Sequence, residues 1–334
     1  MKKTLAMLLL GIMFLVVLAG CGEKSQKHVV SDLGKKMEDM QGYKTKAVMT
    51  FMHGSKKQSY HAEIWYKKPS YYKVVLQDNK KENKQMIIRN NDGVFVLTPA
   101  LNKSYRFESD WPNNRSQFYL YQSLAKDILN DESATFESKD DKYIFKTKTN
   151  YPTKDLSNQK IALLKKDLTP KSVQVMDRDM NVIVDVNFKD FKMNPAFGKD
   201  DFDVKKNMTA AKLETPTMAA SHQEFKVSYP TVKLPNTKLS VMKPEVTNHQ
   251  KKFVIKYKGD KAYTLIETKS DVAPTSKPVM EMGEPVNLGF TIGTMTDHSL
   301  SWSYEGMDYY LASSKLTGEE MQDIARSTNG MLTK

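Results

Sequence analysis

Apolar residues recur at three- and four-residue intervals near the start of the chain, from Val29 to Met40. That spacing puts them on one side of a helix, which we predict to end at Gly42. From Tyr43 onward apolar and polar residues alternate instead, as in strands with one buried and one wet face. Three such runs each place their apolar side chains on a single face: Tyr43, Thr45, Ala47, Met49 and Phe51; Tyr60, Ala62, Ile64 and Tyr66; Tyr72, Val74 and Leu76. A hairpin is predicted next, with Asn90-Asn91-Asp92-Gly93 as its turn between strands at 85–89 and 94–98.

A second helix and a further series of strands are predicted downstream. One apolar stripe places the helix over 114–130, and its members are Phe118, Tyr121, Leu124, Ala125 and Ile128. Strands follow over 134–139, 142–149, 160–165, 172–176 and 181–188, with turn-forming residues between them. Consecutive antiparallel strands with only two helices predict an α+β fold in which a curved antiparallel half-barrel sheet covers the helices.

The alternating pattern breaks off near residues 209–224, where alanine, threonine and proline interrupt it. We therefore place the half-barrel domain at 28–210, a linker at 211–230 and a smaller α+β domain at 231–334. Two hairpins are predicted in the smaller domain, one from strands at 252–257 and 262–268, the other from strands at 299–304 and 307–312. Its last helix starts at Thr317, whose hydroxyl can cap the helix while Glu320 reaches back, as in a capping box.

The first twenty residues have the order of an export signal. Lys2 and Lys3 precede an apolar stretch over 5–17, and Leu18-Ala19-Gly20 leads into Cys21. The stretch is shorter than the ~20 residues of a membrane-spanning helix, so we predict a signal peptide at 1–20. The Leu-Ala-Gly-Cys tetrapeptide resembles the lipobox of bacterial lipoproteins, which implies diacylation of the Cys21 sulfur and a lipidated tether at 21–27. The alternative is an ordinary signal peptide with a cysteine nearby.

Cys21 is the only cysteine of the chain. No disulfide can form within the chain and no cluster of cysteines can bind a metal, so the anchor is the role left for this sulfur. The charge fits an extracytoplasmic, lipid-anchored location at the cell membrane: 51 Lys and Arg against 39 Asp and Glu give a net charge of +12. Such a chain is attracted to anionic lipid or wall polymer. Nucleic acid is the other usual partner of a basic protein, but export argues against it.

Candidate catalytic and metal-binding residues are sparse. The six histidines lack the spacing of a zinc site, although His53 and His61 lie on adjacent predicted strands and could meet across a hairpin. Asp200, Asp201 and Asp203 crowd together and could mimic a carboxylate pair for acid/base catalysis. We favour a half-exposed histidine pair and a solvated acidic cluster. The chain also lacks a nucleophile elbow, a P-loop and a dinucleotide-binding glycine motif, so we predict no catalytic residue, no metal and no cofactor.

The 20 methionines indicate a different kind of site. Methionine adapts to varied apolar shapes, and together with tyrosine and phenylalanine on a concave sheet it would suit an acyl ligand. Met49, Phe51, Ile64 and Tyr66 are the residues expected to face such a ligand. The alternative is that methionine only fills the core.

Three parts of the chain carry a family resemblance. The first is 92–99 with 103–106, the second is 186–195 with 202–204, and the third comprises 302–306, 309–311 and 316–325. They resemble the family of the LolA and LolB lipoprotein carriers and the related RseB sensor. The resemblance covers most of the chain and implies a half-barrel followed by a small C-terminal module. Within this family the whole pattern is close to a sporulation lipoprotein of Bacillus, and more distantly similar to a germination lipoprotein of Clostridia.

The resemblance implies binding rather than catalysis, because LolA carries acyl chains in its concave face and RseB binds proteins. Our first hypothesis is a non-enzymatic, membrane-tethered binding or adaptor protein of the sporulation envelope. Its partner would be an envelope or sporulation protein, such as a cortex-modifying enzyme or an anti-sigma-like factor. The alternative is a lipid or lipopeptide binder that uses the concave apolar face. A third hypothesis, an envelope hydrolase, needs clustered acid/base groups that the sequence does not offer.

Overall fold

The computed structural model describes residues 23–53, 56–79, 83–113, 117–149, 151, 156–214, 225, 227–247 and 250–328. Two sheets organise this part of the chain, one of twelve strands and one of seven. The predicted signal peptide and Cys21 lie outside the described residues.

The twelve-stranded sheet is built mainly from the first part of the chain. Eleven of its strands are β1 (Gly42–His53), β2 (Lys56–Lys67), β3 (Tyr71–Asp78), β4 (Lys84–Asn90), β5 (Gly93–Thr98), β6 (Lys103–Phe107), β7 (Thr135–Lys139), β8 (Lys142–Lys148), β9 (Asn158–Leu164), β10 (Pro170–Met176) and β11 (Val182–Met193). β1 pairs with β11, so the order of these eleven strands is β6-β5-β4-β3-β2-β1-β11-β10-β9-β8-β7, and a short strand from the last part of the chain adds beside β6 as the twelfth. All the residues predicted to share one face of the first three strands are buried. The predicted curved antiparallel half-barrel is confirmed.

Two helices lie on the concave side of this sheet, α1 (Gln26–Asp39) and α2 (Tyr121–Asn130). Val29 and Leu33 of α1 and Leu124 and Ile128 of α2 share one core with the buried side chains of the strands. The sheet therefore covers the helices, as the alternating pattern predicts.

The second helix begins at Tyr121, later than the predicted 114–130 implies, and residues 114–116 of that prediction lie outside the described part of the chain. The Leu120 N–H donates to the Gln117 carbonyl at 3.0 Å in a turn that precedes α2. Tyr119 and Leu120 are buried there all the same. Apolar residues of a core-facing turn thus have a helix-like spacing, which is why the pattern alone places the helix start too early.

A third helix, α3 (Val204–Glu214), covers part of the convex side and is absent from the sequence-based prediction. The Asp203 carboxylate accepts the Lys206 N–H at 2.7 Å and so caps the start of this helix. Met208 and Ala211 form a small second core with apolar residues of β3, β4 and β5. Because α3 buries so few apolar residues, its sequence has no clear helical stripe.

The last part of the chain forms the seven-stranded sheet. This part of the chain has eight strands, and all except β15 belong to that sheet: β12 (Thr237–Thr247), β13 (Gln250–Gly259), β14 (Tyr263–Lys269), β15 (Val279–Glu281), β16 (Glu284–Asn287), β17 (Ile292–Met295), β18 (Ser299–Tyr304) and β19 (Met307–Ala312). The order is β12-β13-β14-β19-β18-β17-β16, and β15 instead pairs in parallel with β6 of the first sheet. Helix α4 (Gly318–Thr328) follows. The division of the chain into domains stays a prediction.

The capping box of α4 is confirmed by two reciprocal hydrogen bonds. The Glu320 N–H donates to the Thr317 hydroxyl at 3.2 Å, and the Thr317 N–H donates to the Glu320 carboxylate at 2.8 Å. Met321, Ile324 and Ala325 then form the buried side of the helix. The cap fixes where the helix begins, and the apolar stripe fixes which side faces the second sheet.

Candidate functional site

The four residues predicted to face a ligand lie inside the concave side of the first sheet. Met49 and Ile64 have no exposed surface, and Phe51 and Tyr66 are only 6% and 7% exposed. The rings of Tyr66 and Tyr72 pack with centroids 4.9 Å apart. In this conformation the chain's own side chains occupy the space around all four, and ligand contact stays a prediction.

A turn between β16 and β17, here called the plug turn (residues 286–292), closes the concave side from the second sheet. Leu288 and Phe290 are buried in the same core as β1 and β2. Gly289 has φ +94°, and a Cβ at this position would lie 2.9 Å from Cε1 of Phe51. Only glycine combines that backbone conformation with so close an approach.

Gln85 of β4 holds the plug turn against the first sheet. Its Oε1 accepts the Thr291 hydroxyl at 3.0 Å and the Ile292 N–H at 2.6 Å. Its Nε2 donates to the Thr98 hydroxyl at 3.3 Å. The Thr291 hydroxyl also lies 2.8 Å from the Ser303 carbonyl, so the buried Ile292 N–H is the donor that depends on Gln85 for its acceptor. Sequence reasoning missed this residue, although an amide next to the apolar run 86–88 was a signal.

A cavity of about 390 Å³ remains beside the plug turn, and we call it the mouth cavity. Its apolar lining includes Trp111, Phe118, Tyr151, Met282, Val286 and Met295. Phe118 also packs edge-to-face on Phe51, with ring centroids 6.0 Å apart. Arg326 lies on the lining too, but its guanidinium is paired with the Asp323 carboxylate at 3.2 Å. Aromatic and methionine walls could hold the apolar part of an acyl compound, and the volume is within the usual range for ligand pockets.

The two candidate histidines are not cross-strand neighbours. The register of β1 and β2 pairs His61 with Val48 and His53 with Lys56. Within the part of the chain that the structure describes, no group of three or more His, Cys, Asp or Glu residues could hold a metal ion. The expected meeting of His53 and His61 across the hairpin is therefore wrong, and the absence of a metal at these residues remains a prediction.

The three clustered aspartates have structural partners. Asp203 caps α3, as described above, and Asp201 accepts the Lys44 ammonium at 3.3 Å and the Gly198 N–H at 3.1 Å. The Asp200 carbonyl accepts the Asp203 N–H at 3.0 Å in the turn before the helix. These contacts stabilise a turn and a helix start, and they place no two carboxylates around a common substrate position.

One buried carboxylate stands out in the second sheet. Glu267 of β14 has no exposed surface, and burial raises its pKa to about 7. One oxygen accepts the Ser228 N–H at 3.0 Å, and the other has no hydrogen-bond partner. The Ser228 hydroxyl lies 3.3 Å from the Tyr309 hydroxyl. Glu267 therefore holds Ser228, near the end of the predicted linker, against the second sheet. Its place on an alternating strand, among apolar neighbours, was the sequence signal.

β12 forms an open surface at the other end of the molecule. It borders the seven-stranded sheet and pairs with β13 on one side. Leu239, Met242 and Val246 are 49%, 46% and 75% exposed. An exposed strand edge with apolar side chains is a typical place for another chain to add. Among the described residues, no helix is both long and apolar enough to cross a membrane.

A model of the family described as "Sporulation protein YdcC-like" matches residues 1–202. The Sporulation protein YdcC of Bacillus subtilis (strain 168) is 47% identical over 335 residues, which span 100% of this chain and 99% of that protein. These matches confirm the resemblance to sporulation proteins.

Solved structures give weaker likenesses. The MucA/MucB complex of Pseudomonas aeruginosa contains a chain that is 10% identical, with a TM-score of 0.33, covering 90% of this chain and 96% of that one. The LolA superfamily protein NE2245 of Nitrosomonas europaea is 10% identical, with a TM-score of 0.31, covering 55% and 100%. A chain of the CwlD amidase–GerS lipoprotein complex of Clostridioides difficile is 16% identical, with a TM-score of 0.23, covering 52% and 98%. Such low TM-scores carry no functional argument.

Proposed function

Because the chain belongs to the YdcC-like family of sporulation proteins, we propose that it is a non-enzymatic binding or adaptor protein of the sporulation envelope, tethered to the outer face of the cytoplasmic membrane. The filled concave side carries this proposal. A carrier needs a concave cavity that is open to its cargo, whereas here α1, α2 and the plug turn pack against the sheet. A partner would then bind to the outer surfaces of the molecule, which are suited to contact with another protein.

The tether would leave the fold at the β7 edge of the first sheet. Glu23, the first described residue, contacts the Lys165 ammonium at 3.2 Å, and the Lys165 N–H donates to the Asp141 carbonyl in the turn between β7 and β8 at 2.8 Å. Cys21 is two residues away, and two extended residues span at most about 7 Å. Two acyl chains on Cys21 would therefore hold this edge at the bilayer surface.

The test is a pull-down from membranes of sporulating cells with two baits, the lipidated protein and a Cys21→Ser form. We expect the lipidated bait to fractionate with membranes and to capture one envelope protein in stoichiometric amount. The Cys21→Ser bait should be released from membranes and should capture the same protein from detergent extracts. A Cys21→Ser bait that stays in the membrane would contradict the anchor, and a lipidated bait without a protein partner would contradict the adaptor role.

A lipid or lipopeptide binder is the second candidate, and the mouth cavity favours it. Its aromatic and methionine lining includes Phe118, which contacts Phe51 of the concave core. Native mass spectrometry of the Cys21→Ser protein would detect an acyl compound that co-purifies. We expect Val286→Trp to displace that compound, because the larger side chain would occupy the cavity, whereas Leu239→Trp on the distant β12 edge serves as the control. Protein free of acyl compounds would remove this candidate.

A further inference from the structure

The outer edge of β12 is available for strand pairing. β12 is 11 residues long and is the last strand of its sheet, with β13 on its inner side. Along such an edge every second residue directs its backbone N–H and carbonyl away from the sheet. An added strand can satisfy those groups, and the side chains of both strands then align on the same two faces.

One face of the β12–β13 hairpin is apolar. The register places Leu239 opposite Tyr257 and Met242 opposite Ile255, so these side chains share a face. Ile255 is fully buried, but Leu239 and Met242 extend past the covered part of the sheet and are about half exposed. Val246 lies on the same face, four residues from Met242, and its partner across the hairpin is the exposed Lys251. The apolar face thus continues to the open edge with nothing from the described chain covering it.

The other face of the hairpin is basic. Lys238 lies opposite Lys258, and Val241 lies opposite Lys256. The ammonium groups of Lys243 and Lys252 lie 3.0 and 3.6 Å from the Glu245 carboxylate, so one negative charge is shared by two positive ones. Within the described residues, Lys238, Lys256 and Lys258 have no carboxylate within 4 Å. Like charges directly opposite each other destabilise a sheet, so this face carries a positive charge that an acidic partner would relieve.

The same lysines argue against a second copy of this chain at the edge. Two β12 strands side by side would bring Lys238 and Lys243 of each copy onto a common face, where they repel. Lysines at an edge are known to limit self-association of sheets. They leave a partner of opposite charge as the occupant that fits.

We propose that the β12 edge binds an extended segment of a protein partner in which apolar and acidic side chains alternate. The apolar side chains of that segment would cover Leu239, Met242 and Val246. Its acidic side chains would lie beside Lys238 and the lysines opposite. The proposal deepens the adaptor role and rests on it for its biological setting, but the strand pairing itself is measurable on the isolated protein.

The probe is a labelled, end-capped octapeptide of alternating valine and glutamate, titrated into the Cys21→Ser chain by fluorescence anisotropy. The control peptide has four valines followed by four glutamates, with the same composition and charge. Because only the alternating order places all apolar residues on one face, we expect it to bind about ten-fold more tightly than the block order. Equal binding of the two peptides would overturn the proposal.

Variants of the protein test whether the lysines beside β12 contribute to peptide binding. Lys238→Glu with Lys258→Glu should weaken binding of the alternating peptide by about ten-fold or more. The matched control is Lys146→Glu with Lys160→Glu, another directly opposed pair, on β8 and β9 of the first sheet; it changes the net charge equally and should leave binding within about two-fold. Equal losses in both variants would indicate non-specific charge attraction and would overturn the proposal.

Backbone methylation tests strand pairing directly. A peptide N-methylated on all valines has one edge blocked, and a peptide N-methylated on all glutamates has the other edge blocked. Because a strand that adds to β12 uses one edge, we expect one peptide to lose binding and the other to keep it. If both bind as the parent does, no strand forms and the proposal falls.

The adaptor role and the edge proposal fail in different ways. If the Lys238→Glu, Lys258→Glu bait still captures the membrane partner, the adaptor role stands and the edge proposal is overturned. If the alternating peptide binds at β12 but membranes yield no partner, the edge is supported and the adaptor role is overturned.

Discussion

The concave side of the first sheet and the β12 edge of the second are both apolar, yet only one is covered. On the concave side the chain supplies its own cover, from α1, α2 and the plug turn. At the β12 edge, Leu239, Met242 and Val246 remain exposed on a strand with one open side. Hydrophobicity along the chain therefore does not distinguish a core from a docking surface. What separates them is whether another segment of the same chain reaches that place.

The energetic consequence is that the two regions should respond differently to substitution. A closed core loses stability when a side chain no longer fits, because neighbours cannot relax. An open edge has few neighbours in the free protein, so changes there should leave stability almost intact and alter only binding.

The largest expected effect is at the plug turn. Gly289→Val would combine a strained backbone with a side chain directed at Phe51, so we expect a loss of about 3–5 kcal/mol of unfolding free energy. Urea denaturation of the Cys21→Ser chain measures it. Gly34→Ala in α1 is the matched control: its added Cβ meets Leu129 at 3.8 Å, an ordinary contact, and should stabilise by up to about 1 kcal/mol. A Gly289→Val protein as stable as its parent would mean that the turn does not close the core.

A somewhat smaller loss is expected from Gln85→Ala. It would leave the buried Ile292 N–H without its acceptor, at a cost of about 1–3 kcal/mol, while the Thr291 hydroxyl keeps the Ser303 carbonyl. Hydrogen exchange should also speed up over 287–292. Gln174→Ala on the convex side, where Gln174 donates to Asp185 at 3.2 Å, should cost under about 0.5 kcal/mol. An equal loss of unfolding free energy at both positions would contradict the role of Gln85 in holding the plug turn against the first sheet.

Replacing the buried carboxylate of Glu267 is expected to raise the unfolding free energy, whereas the substitutions at Gly289 and Gln85 lower it. Its folded pKa of about 7 lies above the unfolded value of 4.5, so the folded state retains a proton that the unfolded state loses. The associated stability is fully present below pH 4.5, falls as the pH rises through 7 and amounts to up to about 3 kcal/mol.

Glu267→Gln should remove this dependence, because the amide stays neutral and still accepts the Ser228 N–H. We expect the variant to be more stable than its parent at pH 8, by about 1–3 kcal/mol, and similar to it at pH 4.5. Urea midpoints at both pH values measure the difference. An identical pH profile for the two proteins would show that Glu267 is ionised in the fold throughout.

The smallest stability effect is expected at the open edge. Val246→Thr should change the unfolding free energy by less than about 0.5 kcal/mol, because Val246 is 75% exposed. Val184→Thr in the closed core, 2% exposed, should cost about 1–3 kcal/mol for the buried hydroxyl. Binding of the alternating valine–glutamate peptide should weaken only for Val246→Thr. The reverse ranking would remove the distinction between the two regions.

Local patterns along the chain predict local elements well. The parity of residues 43–51, 60–66 and 72–76 identifies the buried face of three strands, because successive side chains of a strand point in opposite directions. The hairpin of β18 and β19 has the predicted bounds, 299–304 and 307–312. The Thr317–Glu320 pair marks the start of α4, since a capping box depends only on residues three apart.

Elements held by distant contacts escape such patterns. α3 buries few apolar residues and is stabilised by its cap and by β3–β5. β12 keeps exposed apolar residues beside its lysines and so lacks the clean alternation of a half-buried strand. β15 has three residues and exists because β6 offers it an edge. None of these has a local signature, because the partner that stabilises each one is far away in the sequence.

The sequence by itself determined the alternating strands, the three predicted hairpins, the capped last helix and the family of this chain. Each depends on neighbouring residues or on the whole pattern of residue types. Only the tertiary structure decided that Met49, Phe51, Ile64 and Tyr66 lie beneath the chain's own cover, and that β12 lies at an open edge. Burial depends on which distant segment reaches a surface, and a residue's hydrophobicity is the same whether that segment arrives or not.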